Sequence, residues 1–281
     1  MAEVFISAAE ARGRLEAGWV PVDGTWFLPG SDRTGEAAFA EARIPGARRF
    51  DIDEVCDPTS GLPHMVPGLE RFQRWLSGEG LSAADRFVVY DDNRFAASAR
   101  VWWTLRRFGL EAVILDGGLQ AWRAAGGEIE SGPAEPAHGA GEGPLPEQIR
   151  DDAVTWADVL HHVQARDALI VDARSEDRFT GRGAEPRPGL PSGHIPGSIS
   201  LPFTELIGED GHMIAPDRIA QRLGAPRDAA LICTCGSGVT AAILHAGFTA
   251  ASYTHVRLYD GSWTEWAGRG DLPVETGPGP R

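Results

Sequence analysis

The sequence predicts an α/β protein of two tandem domains, each a mostly parallel sheet flanked by helices, and three observations carry that expectation. Short apolar segments recur in the same order at a nearly fixed separation. Within each half, β-branched runs alternate with helical ones. A stretch with no apolar period divides the halves.

The repeat is visible in three pairs of segments. Val22-Asp23-Gly24 resembles Val171-Asp172-Ala173, 149 residues later. Ile44-Pro45-Gly46 returns as Ile195-Pro196-Gly197 after 151 residues, and Asp116-Gly117 with Trp122 returns as Asp260-Gly261 with Trp266 after 144. A duplicated domain explains the shared order, and 281 residues are room for two domains of ordinary size. The expected first domain is 1–130 and the second 151–281. Between them 131–150, SGPAEPAHGAGEGPLPEQIR, has the Pro, Gly and Ala content of an exposed linker.

The elements follow from local pattern. Phe87-Val88-Val89-Tyr90 and Ala112-Val113-Ile114-Leu115 read as buried strands, with a helix from Ala97 to Phe108 between them. The second half repeats this with strands at Ala168 to Val171, Leu231 to Thr234 and His255 to Leu258, and a helix from Thr240 to Phe248. Strands that alternate with helices need crossover connections, which make a parallel sheet covered on both faces. In such sheets ligands sit beyond the C-terminal ends of the strands.

Composition narrows the chemistry. A net charge of −14 repels nucleic acid and anionic membranes, so neither is an expected partner. All 26 basic residues are Arg, and without Lys there is no Schiff-base chemistry and no Lys-dependent phosphate loop. Three cysteines, Cys56, Cys233 and Cys235, are too few and too odd for a disulfide framework. The opening MAEVFISAAEARGRL lacks a basic start followed by an apolar run, and no stretch is long enough to cross a bilayer; a cytoplasmic protein is expected.

The segment that carries chemistry is Leu231 to Ala242, LICTCGSGVTAA. An apolar strand ends, Cys235 follows, and a short Gly-containing loop leads into a helix. Backbone N–H groups of such a loop can turn inward around an anion, and the helix points its positive end at the same spot. Both effects favour a thiolate. Gly236 and Gly238 supply the backbone freedom the cradle needs. A packed, inert cysteine is the default for this residue type, and the strand–loop–helix context reverses it. Cys233 lies in the strand and reads as structural, and Cys56 has no such context. His161 and His162 lack further metal ligands, and His194, Asp172, Asp260 and Trp263 read as scaffold. No metal or cofactor is expected.

Cys235-Gly236-Ser237-Gly238-Val239-Thr240 resembles the active-site loop of the 3-mercaptopyruvate sulfurtransferases, in the two-domain rhodanese superfamily. Asp51 to Asp53, His64-Met65, Val101 to Trp103, Gly193 to Gly197 and Tyr259 to Trp263 extend the resemblance over nearly the whole chain outside the linker and tails. It implies two tandem rhodanese-like domains and a double displacement. The Cys235 thiolate takes the sulfur of 3-mercaptopyruvate as a persulfide, pyruvate leaves, and a thiol such as reduced thioredoxin, or cyanide, accepts the outer sulfur. It implies that Arg178 and Arg187 grip the substrate carboxylate and keto oxygen, while Gly236, Gly238, Val239 and Thr240 shape the pocket. It also implies a proton-handling trio of Ser237, His64 and Asp53, with His64 as a hydrogen-bonded interface residue the plainer alternative. Arg182 has no matching role. Asp91 stands 144 residues before Cys235, where a carboxylate cannot carry sulfur, so the first domain reads as catalytically silent. Arg43 stands where the first-domain turn more often has His.

Three rivals remain. A thiosulfate sulfurtransferase would suit basic residues after the cysteine, whereas Gly236 and Ser237 are neutral. A cysteine-dependent phosphatase needs an Arg to close the loop, and none follows Cys235 through Ala242. A sulfur carrier without turnover would not need the complete loop.

Overall fold

A computed structural model describes residues 3–28, 31–93, 95, 97–133, 143–147 and 149–280. The first half contains β1 (Phe5–Ile6), α1 (Ala8–Glu16), β2 (Val20–Asp23), α2 (Gly35–Glu41), β3 (Arg48–Arg49), α3 (Leu69–Gly78), β4 (Arg86–Tyr90), α4 (Ser98–Arg107), β5 (Glu111–Leu115) and α5 (Gly118–Ala124). The second contains β6 (Ala153–Val154), α6 (Trp156–Ala165), β7 (Leu169–Asp172), α7 (Glu176–Thr180), β8 (Ile199–Ser200), α8 (Pro216–Leu223), β9 (Ala230–Thr234), α9 (Ala241–Ala250), β10 (His255–Tyr259) and α10 (Ser262–Gly268).

Each half folds into a five-stranded sheet, β1-β5-β4-β2-β3 and β6-β10-β9-β7-β8. The strand order is the same in both, and every named pair is parallel. The central strands β4 and β9 are buried on both faces after their first residue, as their unbroken apolar sequences require. The first helix of each half starts with the same device. Ser7 and Glu10 form a capping box on α1, and Thr155 and Asp158 form one on α6.

What joins the halves is α4 against α9. Helix α9 reads AAILHAGFTA, apolar nearly all round, and such a helix belongs in an interior. Residues Ala241–Phe248 of α9 and Ser98–Leu105 of α4 are buried. One apolar core runs from Val89 and Trp103 of the first half to Ile243, Leu244 and Leu231 of the second. The outer face of each sheet packs separately, around Tyr90 and Trp122 in one half and Tyr259 and Trp266 in the other.

The predicted linker lies partly outside the described residues. Its described ends are fastened to the first half: Gly132 N–H donates to Ala40 O, Ala83 N–H to Pro144 O, and Gln73 Nε2 to Pro146 O. Pro146 is buried, so the segment is less exposed there than its composition suggests.

Candidate active site

Strand β9 delivers Cys235 to the head of α9. The loop between them rests on α10. Cys235 N–H donates to Ser262 Oγ at 3.2 Å, Trp263 N–H donates to Cys235 O at 3.0 Å, and Thr264 donates to Gly236 O through N–H and Oγ1. Gly238 has φ +77°, and a Cβ there would stand 2.8 Å from Asp260 O, so both conformation and space require glycine. The N–H groups of Gly236, Ser237, Gly238, Val239 and Thr240 donate to no acceptor among the described residues. They form an open cradle beside a cysteine that is only 2% exposed. Cys233, two residues back, is enclosed in the sheet, and burial pushes its thiol well above the ordinary range, as an inert residue requires. Burial also raises the thiol of Cys56, which donates to Asp53 O at 2.9 Å.

The first half holds the same cradle, filled. Asp91 follows β4 as Cys235 follows β9. Its Oδ1 accepts from Asn93 and Phe95 N–H at 3.3 and 3.0 Å, and its Oδ2 from Ala97 and Ser98 N–H at 3.3 and 2.9 Å. A carboxylate therefore occupies the place where the second half keeps its donors free. The two copies also share the turn at Arg43 and His194. His194 bridges to Glu275 and stacks on Phe179, with Nδ1 2.9 Å from Phe179 O. Arg43 bridges to Glu130, ion-pairs with it, and lies over Phe39. Arginine thus fastens the first turn as histidine fastens the second.

Above Cys235 is a cavity of about 410 Å³. Cys235, Gly236, Ser237, Val239 and Thr240 form one side, and Arg178, Pro186, Arg187 and Pro188 another. Trp26 and Leu28 of the first half complete it. Arg178 forks onto Glu185, with Nε at 3.0 Å from Oε1 and Nη2 at 2.6 Å from Oε2, and Arg174 Nη1 holds the same carboxylate at 2.9 Å. Arg187 has no ion-pair or hydrogen-bond partner among the described residues. Burial lowers its pKa, while Cys235 nearby favours its charge and Arg178 opposes it. An unpaired guanidinium beside a cradled cysteine is a fork for a planar anion. Arg182 is exposed and pairs with Asp177 and Glu176.

His64 and Asp53 stand behind Trp26 rather than in the cavity lining. Asp53 Oδ2 accepts the Trp26 indole N–H at 2.7 Å, and the His64 ring packs edge-on to Trp26. Nδ1 of His64 lies 2.8 Å from Asp53 Oδ1, a contact too bent for a well-formed hydrogen bond. Contact with His64, and then the Trp26 N–H, hold the Asp53 carboxyl below its ordinary range despite partial burial. Among the described residues no hydrogen bond joins Ser237 to His64.

Arg100 links the halves at this point. It is 2% exposed, donates Nη2 to His64 O at 2.6 Å, and ion-pairs with Asp260 Oδ1 at 2.6 Å. Asp260 Oδ2 in turn accepts Val66 N–H at 2.7 Å. Of the residues expected from the sequence, Cys235, Gly236, Ser237, Val239, Thr240, Arg178 and Arg187 line one cavity, while Gly238 faces Arg100 and the His64–Asp53 pair stands one layer back. Trp26, Glu185 and Arg100 were not anticipated. Arg100 directly precedes Val101 to Trp103, and Glu185 lies inside the segment from Arg178 to Gly189, so both had a positional signal.

The rhodanese-like domain family matches residues 8–125 and again 155–269. This chain belongs to the rhodanese family. As a rhodanese it is 38% identical to a 3-mercaptopyruvate sulfurtransferase of Homo sapiens over 252 residues, 87% of this chain and 84% of that relative. It is 39% identical to a 3-mercaptopyruvate sulfurtransferase of Escherichia coli (strain K12) over 260 residues, 90% of this chain and 91% of the relative. Among solved structures, SseA from Escherichia coli, a 3-mercaptopyruvate sulfotransferase, superposes with a TM-score of 0.81 at 33% identity, over 93% of this rhodanese and 99% of that chain. The 3-mercaptopyruvate sulfurtransferase from Leishmania major superposes with a TM-score of 0.81 at 31% identity, over 97% of this rhodanese and 76% of that chain.

Proposed function

We propose that the protein is a 3-mercaptopyruvate sulfurtransferase that works through a Cys235 persulfide. The observation that carries this reading is the contrast between the two cradles. The first is neutralised by Asp91, while the second leaves five N–H groups free around Cys235 under an unpaired Arg187.

In the proposed reaction Arg187 and Arg178 hold the substrate carboxylate and keto oxygen. The Cys235 thiolate attacks the substrate sulfur. The S–S bond forms as the C–S bond breaks, and the electron pair goes to the enolate of pyruvate. The substrate thiol proton ends on the pyruvate methyl carbon, which leaves Cys235 as an anionic persulfide. The free N–H groups of the loop stabilise that outer sulfur. Ser237, His64 and Asp53 handle the proton. The outer sulfur then passes to a thiol, such as reduced thioredoxin, or to cyanide. Gly236 and Ser237 bring no charge to the loop, which favours mercaptopyruvate over the thiosulfate dianion as donor. We place the activity in a reducing, cytoplasmic compartment, which three unpaired cysteines support. The name of one Arabidopsis thaliana relative puts that protein in mitochondria. Among the described residues no helix is long and apolar enough to cross a membrane.

The test is intact-mass analysis after exposure to 3-mercaptopyruvate without acceptor. The expected result is a gain of one sulfur atom, absent in Cys235→Ser and removed by cyanide. An unchanged mass together with steady turnover would reject the persulfide route.

A further inference from the structure

A second cavity, of about 480 Å³, opens between the halves on the side away from Cys235. Helix α4 lends it Trp102, Trp103 and Arg106, and α9 lends His245 and Thr249. The start of β9, at Ala230, and of β10, at His255 to Arg257, closes it, so it lies at the opposite ends of the strands from the cysteine loop.

Three polar side chains in its lining, Trp103, His245 and Arg106, lack a well-formed hydrogen bond among the described residues. Trp103 is fully buried, yet its Nε1–H has no acceptor. His245 is 7% exposed, and neither ring nitrogen makes a well-formed hydrogen bond. Buried polar groups left unpaired cost stability and call for an explanation. Arg106 is half-buried and makes no ion pair or hydrogen bond among the described residues. Its guanidinium lies over the Trp102 ring at 5.1 Å. Burial and the nearby Arg150 both work against its charge. Asp152, itself ion-paired with Arg107 at 2.7 Å, and Glu111 offset this only in part. Arg257 is likewise occupied, by His162 at 2.8 Å. Three arginines in the lining, Arg106, Arg150 and Arg257, outnumber its two carboxylates, Asp151 and Asp152. The apolar walls come from Trp102 and Tyr253, whose hydroxyl is turned to Ala225 O.

We propose that this cavity binds a small organic anion, with a carboxylate on Arg106 and the indole N–H of Trp103 and a flat or apolar body against Trp102 and Tyr253. A guanidinium fork matches a carboxylate, and the aromatic walls match the body attached to it. Burial lowers the His245 imidazole to about 4, so at neutral pH it is uncharged and offers one N–H and one acceptor. The site is separate from the sulfur chemistry and does not depend on that assignment.

The probe is benzoate, titrated into the full-length protein and into Cys235→Ala, with the Trp103 indole ¹H–¹⁵N resonance, assigned through Trp103→Phe, as readout. A saturable shift is expected in both proteins. It should weaken about tenfold or more in Arg106→Gln, and less in Arg150→Gln, whose side chain is exposed and whose folding is not in question. Inorganic sulfate should bind more weakly than benzoate. No saturable shift, a shift indifferent to both Arg variants, or a shift lost in Arg187→Gln would overturn the proposal. Sulfate binding as tight as benzoate would overturn the organic class of the ligand.

Discussion

Replacing Arg100 with Met should uncouple the two halves at the active site. Arg100 and Asp260 are 2% and 4% exposed, and their ion pair at 2.6 Å crosses from α4 to the end of β10. Without Arg100 the Asp260 carboxylate keeps Val66 N–H as its remaining hydrogen-bond donor. Stranding one member of a buried pair costs about 3–5 kcal/mol. A small domain has about 5–15 kcal/mol in total, so the loss is a large share of it. The chemistry should suffer as well. His64 sits at φ +58°, a strained backbone conformation for a residue with a Cβ, and its carbonyl is held by Arg100 at 2.6 Å. Releasing it lets the His64–Asp53 pair drift, and a displacement near 1 Å costs roughly a hundredfold in rate. Urea unfolding and steady-state turnover of 3-mercaptopyruvate measure the two effects, and the double variant Arg100→Met/Asp260→Asn should recover part of the stability. A loss below about 1 kcal/mol, with kcat unchanged, would refute the clamp.

Other perturbations separate scaffold from chemistry. Asp91→Ala leaves four backbone donors unpaired and should cost about 2–4 kcal/mol by urea unfolding, with sulfur loading of Cys235 intact. Arg187→Gln should raise KM for mercaptopyruvate by about tenfold or more while the fold, followed by circular dichroism, is unchanged. His245 has a folded pKa near 4 against 6.5 in the unfolded chain, so the unfolded state binds the extra proton between those values and stability falls as pH falls. Relative to His245→Leu, the wild-type protein should lose roughly 3 kcal/mol between pH 7 and pH 4, and a pH-independent difference would contradict this.

Five of the six strands of four or five residues were readable as apolar runs bounded by turns, and β4, β5, β7, β9 and β10 are where the pattern puts them; β2, VPVD, carries a proline and an aspartate and gave no such run. The edge strands β1, β3, β6 and β8 have two residues each, too few to show a period, and exist because longer neighbours recruit them. The cysteine loop was legible because its strand, loop and helix are contiguous in the sequence. Arg100 was not, because its partners Gly238 and Asp260 come from the other half of the chain. Glu185 lies within the segment from Arg178 to Gly189 that the sequence singles out, but that two arginines bury its carboxylate needed coordinates. That Asp91 stands where the second half has Cys235 was readable from the repeat. That its carboxylate accepts four N–H groups of its own loop and helix start needed coordinates.

In the proposed reaction an open, uncharged cysteine cradle selects mercaptopyruvate as sulfur donor. The most direct test of that selection compares kcat/KM for 3-mercaptopyruvate and for thiosulfate, with cyanide as acceptor, in the wild-type protein and in Cys235→Ser. Mercaptopyruvate should be much the better donor, and the variant should be inactive with both. Thiosulfate preferred over mercaptopyruvate, or turnover that survives loss of the Cys235 thiol, would contradict it.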